Sequence, residues 1–343
     1  MKKPQDLLTP PNPPFQELSS LLEKSAEGLK KYRLILTAWE AGVFEHAVTP
    51  KTAKQLSEEL GGCHEAMLQL FLDALAEVGL LTKTADTYTN SSLSSTYLTC
   101  SSPYYMEHAL QNMKTNIERW AQLPSIIKTG PIKGARSDFF NQDWLVGIAE
   151  NVRAGTVANV LSIITIHLNP QNWKRLLDLG GGHGLYAIAF TALNPKLEAY
   201  VFDLPQMVPI AERYIKEYNA DRVYTVPGDF YKDSIGEGYD VVFSSFNQSC
   251  GDPVLIKIMV DALVPGGYLV LRRFKDSSRE GALKTLDWNL LGFEGKKVGS
   301  KAHSSGDVVD QKAYFMQLET AGLTLLGTFS VDAISEITFA QKT

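Results

Sequence analysis

The sequence predicts an α/β protein in which a mainly helical first half precedes a parallel sheet covered by helices on both faces. Three observations carry that expectation. Apolar residues between Phe15 and Leu81 recur largely at helical spacing. From Lys174 onward, short apolar runs alternate with helical patterns, the grammar of successive β-α-β units. The first of those runs ends in Gly180-Gly181-Gly182-His183-Gly184, a turn between a strand and a helix. With 343 residues, 44% of them hydrophobic and 21% charged, the chain has material for a large core, and disorder and coiled coil are excluded.

In chain order, the proline-rich opening reads as an extended arm, because proline lacks an N–H donor and disfavours helix before it. Phe15 to Ala47 reads as helix with a break near Gly28 or Lys31, Thr52 caps a short helix through Leu60, and His64 to Gly79 reads as another helix. Leu80–Thr82 and Thr87–Thr89 read as a hairpin. Two helices and a hairpin are the outline of a winged helix. A DNA reader would carry cationic or amide side chains on the second helix, but residues 64–79 hold two Glu, one Asp and no Lys or Arg. Packing or dimerisation is the expected role. Pro103 to Thr129 and Asp143 to His167 read as further helices, the latter stopped by Pro170. Strands follow at 174–179, 197–202, 223–226, 239–244, 268–272, 324–330 and 334–340. The expected domains are 1–100, helical and winged-helix-like; 101–168, linking helices; and 169–343, the sheet domain.

A net charge of −5 excludes a global field for nucleic acid, and no run of about 18 apolar residues is present to span a membrane. Cys63, Cys100 and Cys250 are odd in number and include no CxxC pair, so neither a disulfide framework nor a metal site is expected. A cytoplasmic location fits these features.

The spacing at Gly180 separates two classes of nucleotide site. A dinucleotide fingerprint wants G-x-G-x-x-G, which would place the third glycine at Leu185; the sequence instead has Gly180, Gly182 and Gly184 as G-x-G-x-G, preceded by Asp178. That pattern resembles the first motif of S-adenosylmethionine (SAM)-dependent methyltransferases, where a cationic amino acid moiety faces the turn. Asp203, 19 residues after Gly184 at the end of the second strand, is placed to accept two ribose hydroxyls. Gly228-Asp229-Phe230 follows the third strand, where a carboxylate can accept from an adenine amino group and a ring can pack on the base.

LLDLGGGHG, then VFDLP at 201–205, GDF at 228–230 and LVPGG at 263–267, resemble the caffeic-acid and hydroxyindole type of SAM-dependent O-methyltransferase. AWEAGVFEHA at 38–47, TAKQLSEELG at 52–61 and LDALAEVGLL at 72–81 are similar to that family's dimerisation domain, and RWAQLPSIIKTG at 119–130 and Asp-Trp-Asn-Leu-Leu at 287–291 also follow its pattern. The resemblance implies a class I methyltransferase sheet of Rossmann-like form, a winged-helix-like dimerisation domain, a homodimer, SAM as cofactor and a small-molecule acceptor. It implies a cofactor site made of Asp178, Gly180, Gly181, Gly182, Gly184, Asp203, Leu204, Gly228, Asp229, Phe230, Ser244 and Phe246. The acceptor is expected near His108, Asn112, Met113 and Asn289.

One departure bears on chemistry. The family's usual general base is a histidine shortly after the fourth strand, but the sequence from 243 to 253 reads FSSFNQSCGDP. Gln248 or Ser249 takes the histidine's place, depending on the form of the motif compared, and neither accepts a proton near neutral pH. At about 1.36 kcal/mol per pKa unit, ionising a thiol at pH 7 costs about 2 kcal/mol and a phenol about 4. Placement of the reactants can supply about 7–11 kcal/mol. Thiols, acidic phenols, carboxylates and electron-rich carbons therefore remain open as acceptors, with O-methylation the family default. His303 is a candidate substitute base on a loop, His108 another, while His183 reads as part of the glycine turn and Cys250 as packing. Arg272 and Arg273 close the fifth strand on opposite faces; one could meet an acidic acceptor, or both could form a solvated strand end. A SAM-binding relative repurposed away from methyl transfer and a SAM-sensing winged-helix regulator are the alternative functions.

Overall fold

The computed structural model describes Leu8 and residues 10–139, 141–247, 252–276, 281–294 and 311–343. They form two compact units, Met1–Glu107 and His108–Thr343.

In the first unit, α1 runs unbroken over Phe15–Glu40. The break expected near Gly28 or Lys31 does not occur. A glycine inside a helix costs only about 1 kcal/mol; a Cβ at Gly28 would meet nothing, and Lys31 pairs with Glu27 at 2.6 Å one turn back. The chain turns instead at Gly42, whose φ of 74° is left-handed. After α2 (Val43–His46) and β1 (Lys51–Thr52), Thr52 caps α3 (Ala53–Glu59) in a reciprocal box with Gln55. α4 (Glu65–Glu77) leads to β2 (Leu81–Thr84) and β3 (Thr87–Asn90), and β3 lies antiparallel between β1 and β2. α5 (Ser92–Tyr97) follows. Leu36, Phe44, Leu56, Leu72, Leu75 and Tyr88 are fully buried, whereas Phe15, Leu18, Leu21, Leu22 and Leu29 of α1 are exposed.

The second unit takes in α6 (Glu107–Ala121) from His108 onward, then α7 (Leu123–Thr129), β4 (Ile132–Lys133), α8 (Arg136–Phe139), α9 (Gln142–Asn151) and α10 (Val157–His167). Two helices expected as continuous are divided. The first splits at Gln122, just ahead of Pro124, and the second at a widened turn, Val152–Thr156, where Gly155 has φ of 128°.

The sheet comprises β5 (Arg175–Leu179), β6 (Glu198–Asp203), β7 (Val223–Pro227), β8 (Tyr239–Ser245) and β9 (Leu263–Phe274), interleaved with α11 (Leu185–Leu193), α12 (Val208–Glu217) and α13 (Pro253–Ala262). Then come α14 (Ala282–Asn289), β10 (Leu291–Gly292), α15 (Gln311–Thr320), β11 (Leu323–Ser330) and β12 (Ser335–Lys342). The strand order is β11-β12-β9-β8-β5-β6-β7. β5 to β9 are parallel, and β12 inserts antiparallel between β9 and β11. Leu176, Leu177 and Leu179 are all fully buried, as both faces of a central parallel strand require. The carboxyl ends of β5, β6 and β7 line up, with Leu179 beside Phe202 and Asp203 beside Pro227. A separate parallel pair joins β4 to β10, Ile132 beside Leu291.

Candidate active site

The glycine turn forms at the end of β5 because three of its residues need a backbone that L side chains avoid: φ is 69° at Gly180, 52° at Gly182 and 70° at Gly184. Gly181 needs space instead. A Cβ there would lie 2.7 Å from Asp178 Cγ and 2.9 Å from Val201 Cγ1. Asp178 is 1% exposed, and its Oδ2 has no hydrogen-bond partner. Burial, reinforced by the Asp203 charge, pushes its carboxyl up to about 7, against the pull of the Ala187 amide. His183 is also buried and is held down to about 4 by desolvation; its Nδ1 accepts from the Leu185 N–H at 3.1 Å, so the ring is neutral. This places His183 in the turn's own structure, as its position in the sequence implies.

Asp203 at the end of β6 accepts the Gly182 N–H on Oδ2 and its own neighbour's Leu204 N–H on Oδ1, both at 2.7 Å. Burial raises its pKa while those two amides oppose the rise. A carboxylate offers about four acceptor positions, so two remain for a diol. Gly228 donates to the Asp203 carbonyl at 2.9 Å, and a Cβ on it would lie 2.6 Å from the Phe202 ring. Asp229 accepts from the Tyr231 N–H at 3.0 Å and pairs with Lys232 at 2.8 Å, which lowers its pKa. Phe230 packs against the core beneath, next to the Tyr231 ring.

β8 brings two further expected residues to the same end. Ser244 donates to the Leu179 carbonyl at 2.7 Å, tying β8 to β5. Phe246 has φ of 54°, unusual for a residue with a side chain, and its ring lies 4.2 Å from the Arg272 guanidinium and 4.3 Å from the tilted Phe274 ring. Arg272 is 4% exposed, not a solvated strand end: it donates to the Tyr186 hydroxyl and to Asp332, both at 2.9 Å, and to Ser335. Arg273 turns to the opposite face and pairs with Glu336 and Asp276. Gln248, Ser249, Cys250 and His303 lie outside the described residues.

The expected acceptor residues divide. His108 Nδ1 lies 2.9 Å from Oε1 of the buried Glu150, whose Oε2 accepts the Ala109 N–H at 2.8 Å. Asn112 donates to the Trp144 carbonyl at 3.1 Å, Met113 is exposed, and Asn289 donates to the Thr285 carbonyl at 2.7 Å. His108 and Asn112 thus serve the α6–α9 contact.

Two side chains that the sequence reading missed touch the glycine turn. A Cβ at Gly182 would meet Leu145 Cδ1 at 3.0 Å, and one at Gly180 would meet Asn247 Nδ2 at 3.1 Å. An apolar residue in a helix and an amide after a strand carry no local signal of such a placement. The orphaned Asp178 oxygen, the side-chain-free turn and the spare acceptor capacity of Asp203 suit a ligand with a cationic amino acid end and a ribose, as SAM has.

Residues 134–318 match the O-methyltransferase domain, and residues 24–100 match the O-methyltransferase dimerisation domain. An uncharacterized protein of Methanocaldococcus jannaschii is 31% identical over 328 residues, covering 93% of this chain and 88% of its own. Acetylserotonin O-methyltransferase of Bos taurus is 27% identical over 300 residues, 79% of this chain and 85% of its own. The crystal structure of human N-acetylserotonin methyltransferase in complex with SAM superposes with a TM-score of 0.72 at 23% identity, over 95% of this chain and 97% of that one. The chain belongs to the O-methyltransferase family, with the class I sheet expected from its motifs. It is a SAM-dependent methyltransferase. No helix among the described residues is long and apolar enough to cross a membrane.

Proposed function

We propose that this enzyme methylates a small molecule at an oxygen that is already ionised when it meets the cofactor, and that it works as a homodimer. The observation that carries the first part is the lack of any histidine between Ser244 and Pro253, in a chain whose only later histidine is His303. Asp178 and the glycine turn would hold the amino acid end of SAM, Asp203 the ribose, and the Gly228–Phe230 segment the adenine. SAM supplies a methyl group on a sulfonium, so transfer to an oxyanion forms one C–O bond, breaks one C–S bond with its electron pair left on sulfur, and releases no proton. The residues around it need only orient the acceptor and exclude water, a contribution of about 7–11 kcal/mol. The name of the bovine relative supports oxygen as the accepting atom.

The test is release of S-adenosylhomocysteine with a panel of phenols, carboxylates and thiols. For a phenol, kcat should rise with pH toward the pKa of the bound acceptor; for a carboxylate it should be flat near neutrality. A bell-shaped profile with an enzyme pKa near about 6.5, lost on changing His303 or His108, would instead show that the base has moved. Binding of SAM with no product from any acceptor would favour a repurposed family member.

A further inference from the structure

Resting on that reading, we infer that the acceptor is an aromatic anion, its charge held by Arg119 and its ring packed against the cluster of Phe139, Trp288 and Phe293. The placement follows from how α6 runs. It starts with His108 on Glu150, passes Asn112 on the Trp144 carbonyl, and reaches Phe139 with the Arg119 guanidinium 6.0 Å from the ring centroid. α6 therefore climbs back along α9, past the level of Leu145, the residue seated on Gly182. That direction is toward the strand ends, since Gln142 at the start of α9 donates to the carbonyl of Gln206, just beyond β6.

A second segment meets the same end of α6. Trp120 donates to Asp287 Oδ1 at 2.5 Å, and β4 pairs with β10. Phe293 lies 6.4 Å from Phe139 and 6.0 Å edge-on from Trp288. One cation and three aromatic rings thus share a place beside the segment that touches the cofactor turn.

Arg119 is half-buried but, among the described residues, makes no hydrogen bond or ion pair. Burial lowers its pKa, and the one carboxylate opposing that is Asp287, already engaged by Trp120. The contrast with other arginines of this unit is plain: Arg222 donates to three carbonyls, and Arg272 and Arg273 each have carboxylate partners. Half-burying a cation without a counter-charge is unfavourable, so a guanidinium lying over one aromatic ring with two more beside it is arranged for an anion that arrives with its own ring. A planar guanidinium accommodates a carboxylate bidentately and also lowers the pKa of a phenol placed against it, a substitute for the missing histidine.

The experiment uses the full chain saturated with S-adenosylhomocysteine and calorimetric binding of 2-naphthoate and of 2-naphthamide, its neutral counterpart. Naphthoate should bind at least about tenfold more tightly, Arg119→Gln should remove the preference, and Arg119→Lys should keep part of it. Neither variant should alter the affinity for S-adenosylhomocysteine. In a parallel arm, bound 2-naphthol should ionise at lower pH than free naphthol in the wild type and not in Arg119→Gln if the natural acceptor is a phenolate; naphthoate preference without that shift assigns a carboxylate. Equal affinity of the wild type for naphthoate and naphthamide, or a preference that survives Arg119→Gln, overturns the inference. Failure of the wild type to bind S-adenosylhomocysteine would strike the cofactor reading instead.

Discussion

Asp178 and His183 sit five residues apart in one turn and respond to burial in opposite senses. The carboxyl, raised from 3.8 to about 7, keeps its proton in the folded protein where the unfolded chain has lost it, so between those values its contribution to stability falls as pH rises. The imidazole, lowered from 6.5 to about 4, is neutral in the folded protein where the unfolded chain is charged, so over that interval its contribution rises with pH. Each slope is about 1.4 kcal/mol per pH unit, and between about 4 and 6.5 they cancel. Denaturant unfolding of Asp178→Asn should accordingly show stability rising with pH relative to wild type across that window, and His183→Gln should show the reverse. Parallel pH profiles for all three proteins would disprove the account. At the neighbouring strand end, Asp203→Ala should weaken SAM binding by about 1–3 kcal/mol through lost charge-assisted hydrogen bonds, read by calorimetry.

Elements carry their own tests. α6 reaches α9 closely only because position 147 has no side chain: a Cβ there would lie 2.2 Å from Asn112 Nδ2 and 2.9 Å from the His108 backbone. Asn112 could swing away, but backbone could not, so Gly147→Ala should destabilise the second unit by about 1–3 kcal/mol. A melting curve unchanged from wild type would contradict that packing. Elements like β5 and β6 were legible in the sequence because apolar runs ending in Asp178 and Asp203 combine local pattern with strand-end chemistry. The glycine turn was legible for the same reason. The unbroken α1 was not, since Gly28 is a breaker only by propensity, and an exposed face with a Glu27–Lys31 pair tolerates it. Nor could spacing show that His108 and Asn112 would be spent on α9, because Glu150 and Trp144 meet them only after both helices have packed.

For the molecule as a whole, the exposed stripe of Phe15, Leu18, Leu21, Leu22 and Leu29 falls on α1, a helix that buries only Leu36 and Ala38 near its end. A contiguous apolar face of this kind marks an association surface, and residues 24–100 match the family's dimerisation domain. Light scattering should therefore give twice the chain mass at micromolar concentration, and Leu18→Glu combined with Leu22→Glu should halve it while circular dichroism is unchanged. A wild-type monomer would remove this reading.

The position of β12 has a consequence for how the protein is made. β9 has β8 on one side, but its other partner, residues 335–342, emerges from the ribosome well after β9 itself. Throughout that interval the nascent sheet presents the main-chain donors and acceptors of Leu269–Leu271 along an open, apolar edge, the kind of surface on which a second unfinished chain can be templated. The cofactor-binding turn at β5 belongs to the part synthesised earlier. Ligand present during translation could thus brace the half-built sheet, so yield in the cell would track the supply of SAM as well as the stability of the finished fold.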